Sequence, residues 1–219
     1  MSKVIIKINC QTIGQAWLQT SKFLIEEGQM MKDDDKDIKE SINLLILIEK
    51  PNPEDETIQR FADPEWLKWM DSNFFKEKDI PELGNAKSYA LRLFNYGGQG
   101  INQIEKVIEK LKNKPESKSA TITTFMPLVD SSYIPCVSLL DFFIRDNMLK
   151  LNVYARSLDF GKKAYGNLVA LAKIQKQVAL ALGQPIGEIT LFVKSAHIYK
   201  EEFNLMETII KKADELKNK

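Results

Sequence analysis

Two apolar segments joined by a short polar turn constrain the fold of this chain more than any other feature. Residues 133–145 and 149–154 have the composition of strands, and the residues between them are typical of a hairpin connection. A helix with one apolar face follows at residues 167–182, and a further short strand follows at residues 189–193. This succession predicts a mixed α+β fold in which neighbouring strands run antiparallel.

The rest of the chain alternates between short strands and helices in the same way. Strands are predicted at residues 4–9, 42–48 and 120–125, and the charged stretch 32–36 is interpreted as a solvated turn. Helices are predicted at 12–27, capped by Thr12, from Asp63-Pro64 onward, at 85–93, capped by Asn85, at 103–111 and at 201–216. No linker or repeat interrupts the pattern, so we predict one domain over residues 1–219.

The balance of charges narrows the class of ligand. The chain has 31 basic and 30 acidic residues and a formal net charge of +1, which argues against a general nucleic-acid-binding surface. A small anionic ligand held by a few local cations remains compatible with this balance. With Cys10 and Cys136 as its cysteines, no predicted secretory signal and no membrane-spanning run, the chain is expected to be cytoplasmic and to bind no membrane.

Two further patterns argue against a phosphate loop and against a metal site. The run Gly97-Gly98-Gln99-Gly100 follows no clear strand and precedes no Lys-Ser or Lys-Thr pair, so it is interpreted as a flexible loop rather than a phosphate loop. His197 is the one histidine of the chain, and no Cys/His cluster accompanies it. We therefore expect no metal site.

Cys136 stands at the start of an apolar strand, where a lone cysteine is most often a small core residue. The residues that surround Cys136 favour a catalytic role instead. Arg156 follows across the predicted hairpin, where a cation near the thiol would favour the thiolate. Arg156 and Ser157 together offer a guanidinium and a hydroxyl, which suit an oxyanion or a phosphate.

Three more polar residues complete this candidate site. Asn167 carries both a donor and an acceptor, the minimum needed to recognise an amide-like edge such as that of uracil. His197 and Tyr199 are two residues apart in an extended segment, so they face the same way and can hydrogen-bond to one group.

The same residues resemble a known family. The central motifs of thymidylate synthases and related pyrimidine hydroxymethylases are similar to Pro135-Cys136, Tyr154, Arg156-Ser157, Asp159, Asn167 and Ala196-His197-Ile198-Tyr199. Order and spacing match from Cys136 to Tyr199 without an insertion. Weaker similarity, to the short archaeal-type members, extends to Glu40, to Tyr89 and to the turn at residues 115–119 that contains Lys118.

This resemblance implies a mechanism in which the Cys136 thiolate adds to C6 of a pyrimidine nucleotide, with dUMP preferred. C5 then attacks the methylene carbon of 5,10-methylenetetrahydrofolate or a related methylene-pterin. The implied binding roles are Arg156 and Ser157 for the phosphate, Asn167 for the base, His197 and Tyr199 for the sugar hydroxyl and Asp159 for the pterin. Glu40, through ordered water, and Tyr89 would move protons on the ring.

The resemblance also implies a thymidylate synthase-like fold, in which helices cover a mixed sheet and two sheets pack back to back in a homodimer. Lys118 of the partner subunit would then also bind the phosphate. Departures from the family pattern include Val137 after the nucleophile, Ala155 before Arg156 and Ser119 in the phosphate turn. Two alternatives therefore stay open: a dUMP, dCMP or CMP hydroxymethylase, in which water captures the intermediate, and a non-catalytic nucleotide-binding relative.

Overall fold

The structure is a computed structural model that describes residues 5–130 and 133–217. Its strands are β1 (Ile6–Cys10), β2 (Gln29–Asp33), β3 (Lys36–Ile48), β4 (Asp79–Ile80), β5 (Ala86–Lys87), β6 (Ala120–Thr123), β7 (Val137–Arg145), β8 (Met148–Ala155), β9 (Leu158–Asp159) and β10 (Ile186–Tyr199). Its helices are α1 (Ile13–Glu27), α2 (Glu56–Phe61), α3 (Pro64–Phe75), α4 (Tyr89–Phe94), α5 (Gln103–Asn113), α6 (Ala164–Leu182) and α7 (Phe203–Lys217).

Eight strands form one mixed sheet in the order β1-β3-β10-β8-β7-β6, with β2 beside β3 and β9 beside β10. The predicted hairpin is β7–β8, and both residues of its turn, Asp146 and Asn147, have positive φ. β10 runs antiparallel to β3 and parallel to β8, so it holds the two halves of the chain together. The α+β class predicted from the sequence is confirmed.

Helices α1 and α6 pack against each other and against the sheet. Trp17 of α1 is fully buried there. Its indole N–H donates to the carbonyl of Phe160 at 2.9 Å, and its ring lies 4.8 Å from that of Tyr165 in α6. Aromatic burial thus fixes the start of α6 beside β9, which places the end of β9 and the first turn of α6 at one location.

Several element boundaries differ from the prediction. Residues 32–36 are not simply a solvated turn, because they contain the end of β2 and the start of β3, which turn at Asp34 in a left-handed conformation. β3 begins at Lys36 rather than at residue 42, and β10 extends to Tyr199. The first residues of β3 lack an apolar alternation, and the conformation of both segments depends on backbone pairing with strands that are distant in sequence.

Other boundaries were also wrong. The predicted cap Asn85 has a φ of 59°, and the helix begins at Tyr89, where Ser88 accepts a hydrogen bond from the Leu91 amide. The strand predicted from residue 133 begins at Val137, because Pro135 cannot donate to a strand ladder. Thr12 and Asp63 cap their helices as predicted. Val4, the predicted start of the first strand, lies outside the described residues.

β10 changes face part-way along its length. Its core residues are Ile189, Leu191 and Val193, then Ala196 and Ile198, so the alternation shifts by one position around Lys194. Opposite Lys194 in β3 lies Asn43, which has a φ of 58°. A left-handed residue in a strand locally disturbs the pleat. As a result, His197 and Tyr199 share one face of the sheet while their neighbours Ala196 and Ile198 enter the core.

Candidate active site

A cavity of about 490 Å³ lies where the ends of β9 and β10 and the segment before β7 approach helices α3, α4 and α6. It is lined by residues from seven separate parts of the chain. Eight of the ten predicted site residues line it: Cys136, Tyr89, Asn167, Arg156, Ser157, Asp159, His197 and Tyr199. The structure therefore brings the sequence-predicted constellation into a single cavity.

Cys136 immediately precedes β7 and is partly exposed to this cavity. Its carbonyl accepts a hydrogen bond from the Arg156 amide at 2.8 Å, which joins the cysteine segment to the segment after β8. Burial raises the pKa of the thiol, and the charges of Arg156 and Lys163 lower it. Removing either cation would therefore disfavour the thiolate.

Tyr89 is the first residue of α4, and its hydroxyl lies beside the segment that carries Cys136. Its hydroxyl accepts a hydrogen bond from the Val137 amide at 2.9 Å, and its ring stacks on Phe74 at 4.1 Å. Because the hydroxyl oxygen already accepts from the backbone, its proton remains available to a ligand in the cavity. Burial raises the pKa of Tyr89 well above its ordinary value, so the phenol stays protonated.

Arg156 follows β8 and bends back over the approach to Cys136. Its Nε and Nη2 donate to the carbonyl of Ile134 at 3.0 and 2.6 Å. These bonds orient the guanidinium and place its charge in the cavity that Cys136 and Ser157 line. The arrangement suits an anionic ligand group beside the nucleophile.

Asn167 and Asp159 each use part of their hydrogen-bonding capacity within the protein. The Asn167 amide nitrogen donates to the Lys163 carbonyl at 3.0 Å, which leaves its side-chain oxygen as an acceptor. Asp159 Oδ1 accepts from the amides of Gly161 and Lys162 at 3.0 and 3.3 Å. Burial raises the pKa of Asp159, while the charges of His197 and Lys163 lower it.

His197 and Tyr199 stand side by side on β10, with ring centroids 5.4 Å apart in an edge-on arrangement. His197 is 7% exposed, and its Nδ1 is buried without a hydrogen-bond partner among the residues that the structure describes. Burial lowers the pKa of His197, whereas the charges of Asp159, Asp33 and Glu40 raise it. A neutral imidazole with an unpaired nitrogen can bind a hydroxyl group of a ligand.

Two predicted residues do not line the cavity. Glu40 lies on β3 opposite His197 and hydrogen-bonds to the Ser195 hydroxyl, so it is one strand away from the predicted sugar site. Lys118 is exposed on the turn before β6, the edge strand of the sheet. The weaker part of the resemblance supplied both residues.

Several polar or aromatic cavity residues were missed by the sequence reasoning, among them two tryptophans, a lysine, a tyrosine and an aspartate. Trp66 and Trp69 of α3 are stacked, with ring centroids 4.8 Å apart. Two tryptophans three residues apart could have indicated a shared helix face. Lys163, Tyr133 and Asp33 also line the cavity, and no local motif marks them. Burial raises the pKa of Tyr133 to about 12.

A buried ion pair fixes the segment that leads toward Cys136. Arg92 of α4 binds both carboxylate oxygens of Asp130 at 2.7 Å, and the two side chains are 1% and 3% exposed. Arg92 also donates to the carbonyls of Lys87 and Thr124, and Asp130 accepts from the Met126 amide. The guanidinium thus ties α4, which carries Tyr89, to residues 124–130.

Two negative findings concern the described part of the chain. Among residues 5–130 and 133–217, no group of three or more His, Cys, Asp or Glu side chains is arranged to hold a metal ion. Within the same residues, no helix has the length and apolar character needed to cross a membrane.

Comparison with known proteins finds sequence similarity to one family. The sequence model of the family described as thymidylate synthase matches residues 41–218. A protein of Methanosarcina mazei is 33% identical over 207 residues, covering 93% of this chain and 94% of its own length. A protein of Methanothermobacter thermautotrophicus is 29% identical over 220 residues, covering 93% and 98%. Both bear the name "Putative thymidylate synthase".

A mixed α+β fold brings a cysteine, an arginine, an asparagine and a histidine–tyrosine pair together in one cavity. Together with the family match over residues 41–218, it identifies the chain's family. The chain belongs to the thymidylate synthase family.

Proposed function

We propose that this protein transfers a one-carbon unit from a methylene-pterin to C5 of dUMP and forms dTMP. The observation that carries the proposal is the single cavity shared by Cys136, Arg156, Asn167 and the His197–Tyr199 pair. These residues supply the nucleophile, the phosphate contact, the base contact and the sugar contact that the reaction needs. The co-substrate is proposed to be 5,10-methylenetetrahydrofolate or a related carrier, and the reaction is proposed to need no metal ion.

The reaction begins with formation of the Cys136 thiolate, which the charges of Arg156 and Lys163 favour. The sulfur forms a bond to C6, and the electron pair of the C5–C6 double bond moves to C5 and the carbonyl at C4. C5 then bonds to the methylene carbon as one of the two carbon–nitrogen bonds to the carrier breaks. Loss of the C5 proton breaks the second carbon–nitrogen bond, so the carrier leaves and an exocyclic methylene remains at C5. A hydride from the carrier adds to this methylene, the electron pair re-forms the C5–C6 double bond, and the Cys136 thiolate leaves.

Proton movement on the ring is proposed for Tyr89 and Glu40. The Tyr89 hydroxyl oxygen accepts from the Val137 amide, so its proton is available for donation to a ligand in the cavity. Glu40 does not line the cavity, so we propose that it acts through water, from its position beside Ser195 and opposite His197.

Asn167 is proposed to select uracil over cytosine. Its amide nitrogen gives one N–H to the Lys163 carbonyl, so its oxygen acceptor and its second N–H remain for a base. The N3–H of uracil can donate to that oxygen while O4 accepts the second N–H, whereas cytosine presents the reverse pattern, an acceptor at N3 and an amino donor at C4. This direction of hydrogen bonding favours dUMP over dCMP.

The remaining contacts follow from position in the cavity. Arg156 and Ser157 are proposed to bind the 5′-phosphate, and His197 and Tyr199 the sugar hydroxyl. Asp159 keeps Oδ2 available after Oδ1 has accepted two backbone bonds, so it is proposed to bind the pterin. The stacked indoles of Trp66 and Trp69 offer an adjacent flat apolar surface for an aromatic ring.

The uncovered face of the sheet supports a homodimer. Leu139, Tyr154, Phe192 and Leu45 are in-register partners on four adjacent strands, so their side chains form one row. Leu139 and Tyr154 are each 37% exposed, and the Tyr154 and Phe192 rings stack at 5.8 Å. We propose that two such faces pack back to back, which would allow Lys118 of the partner subunit to approach the phosphate. Analytical ultracentrifugation tests this, and a monomer at micromolar concentration would contradict it.

The experiment that tests the function is tritium release from 5-tritiated dUMP in the presence of 5,10-methylenetetrahydrofolate, with 5-tritiated dCMP compared in parallel. We expect release from dUMP and its loss in Cys136→Ala, while Cys10→Ala serves as the control that removes the other thiol. Release that survives Cys136→Ala would refute the covalent mechanism. No release with any pyrimidine nucleotide and several methylene-pterin carriers would refute catalysis.

The mass of the product then identifies the fate of the carbon. A methyl group supports thymidylate formation, whereas an added oxygen would show that water captures the intermediate, as in a hydroxymethylase. A cytoplasmic location stays a prediction from the sequence.

A further inference from the structure

Asp33 occupies an unusual position for an acidic residue in a cavity proposed to bind a nucleotide. It ends β2, and its Oδ2 accepts a hydrogen bond from the Tyr199 hydroxyl at 2.6 Å. Both side chains line the main cavity. All residues of β2 are exposed. The β2–β3 hairpin thus reaches the cavity through the carboxylate of Asp33.

The hairpin is held at this point by a second contact. Lys36, at the start of β3, lies 5.1 Å from the centre of the Tyr199 ring and pairs with Glu201 at 2.9 Å. Asp33 and Lys36 are register partners across the turn, so both contacts to Tyr199 come from the same end of the hairpin. The phenol is therefore oriented by residues that come from a different part of the chain.

This contact fixes the direction of hydrogen bonding at Tyr199. A phenol has one proton, and here that proton is donated to Asp33, so the oxygen can only accept from a ligand. The His197 ring lies beside Tyr199 in the same cavity, and its Nδ1 has no hydrogen-bond partner within the described residues. A ligand hydroxyl between the two side chains would donate its proton to the Tyr199 oxygen, and its own oxygen would accept an N–H from the imidazole.

We infer that Asp33 is a positioning residue for recognition of the sugar hydroxyl, and that it acts by holding the Tyr199 oxygen as an acceptor. The inference rests on the proposed function, because it takes the ligand to be a nucleotide. It predicts that replacing Asp33 weakens the binding only of ligands that carry the hydroxyl. A carboxylate that merely stabilised the hairpin would affect all nucleotides equally.

The test compares two ligands that differ in that group, dUMP and 2′,3′-dideoxyuridine monophosphate. Binding to the wild type, to Asp33→Ala and to Tyr199→Phe is measured by isothermal titration calorimetry without co-substrate. We expect Asp33→Ala to weaken dUMP binding about five- to tenfold, the loss typical of one hydrogen bond, and dideoxy ligand binding less than twofold. Tyr199→Phe is expected to show the same selectivity.

Two further variants separate recognition from folding and from charge. Asp33→Asn keeps a side-chain oxygen that can accept from Tyr199, so it is expected to restore most of the preference for dUMP. Asp35→Ala removes an equal charge from the same turn, and it is expected to change neither affinity by more than twofold. Thermal unfolding of each variant reports whether the hairpin stays folded.

The outcomes are distinguishable. Equal weakening of both ligands by Asp33→Ala would overturn the role of Asp33 while leaving the proposed function intact, because the wild type would still bind dUMP. A wild-type protein that binds neither nucleotide would overturn the proposed function and this inference with it.

Discussion

Replacing Arg92 by leucine is expected to be among the most destabilising single changes in this protein. The variant removes the partner of Asp130, whose carboxylate is 3% exposed, and leaves the Met126 amide as a hydrogen-bond donor to it. It also leaves the carbonyls of Lys87 and Thr124 without their guanidinium donor. Breaking a buried ion pair by removing one partner typically costs about 3–5 kcal/mol.

This magnitude sets the scale of the experiment. For a chain of this size, each kcal/mol lowers the melting temperature by about 2–4 °C, so Arg92→Leu should lower it by about 6–20 °C. Urea unfolding gives the free energy directly. The matched control is Lys68→Ala, which breaks an ion pair with Glu65 whose side chains are 74% and 79% exposed, and which should cost less than about 1 kcal/mol.

A double variant sharpens the result. Arg92→Leu combined with Asp130→Leu removes both charges, so it is expected to be more stable than Arg92→Leu alone, because no uncompensated carboxylate remains. If Arg92→Leu costs no more than the exposed control, the pair does not anchor residues 124–130. The reasoning that links α4 to the Cys136 segment would then be refuted.

Three other perturbations test the site and its support. Arg156→Gln should raise the pKa of the Cys136 thiol further, since burial already raises it and the guanidinium opposes that effect; the pH midpoint of iodoacetamide alkylation reports this, with Arg156→Lys as the charge-preserving control. Gly166→Ala should destabilise the fold by about 1–3 kcal/mol in urea unfolding, because the added Cβ would lie 2.9 Å from Met70; an unchanged midpoint would reject this close approach. Burial lowers the pKa of His197 below 6.5, so the unfolded chain takes up a proton before the folded one and the stability from the neutral imidazole is lost as the pH falls through that range. His197→Gln should therefore lose less stability than the wild type between about pH 7 and 5, and identical profiles would contradict the shift.

The part of the site on adjacent strands could be predicted from sequence. Arg156, His197 and Tyr199 lie in or beside strands with regular spacing, and one sheet brings those strands together. Side chains alternate between the two faces of a strand, so the spacing of two residues along a strand predicts whether they point to the same face.

Other site residues depend on tertiary packing that no local pattern encodes. Asp33 reaches the cavity because a polar hairpin folds back over Tyr199, and Trp66 reaches it because α3 packs near α6. Glu40 was placed by similarity alone, and β3 sets it one strand away from the cavity. Local sequence patterns do not predict side chains that enter a site from separate elements.

The change of face in β10 has a consequence for how mutations would distribute along it. Before Lys194, the inward residues such as Leu191 fill the core, and replacing them would reduce the amount of folded protein. After Lys194, His197 and Tyr199 line the cavity, while Ala196 and Ile198 continue the core. A single strand therefore carries two sets of constraints, and selection for a new ligand can act on His197 and Tyr199 without disturbing the packing established by the core residues of the same strand.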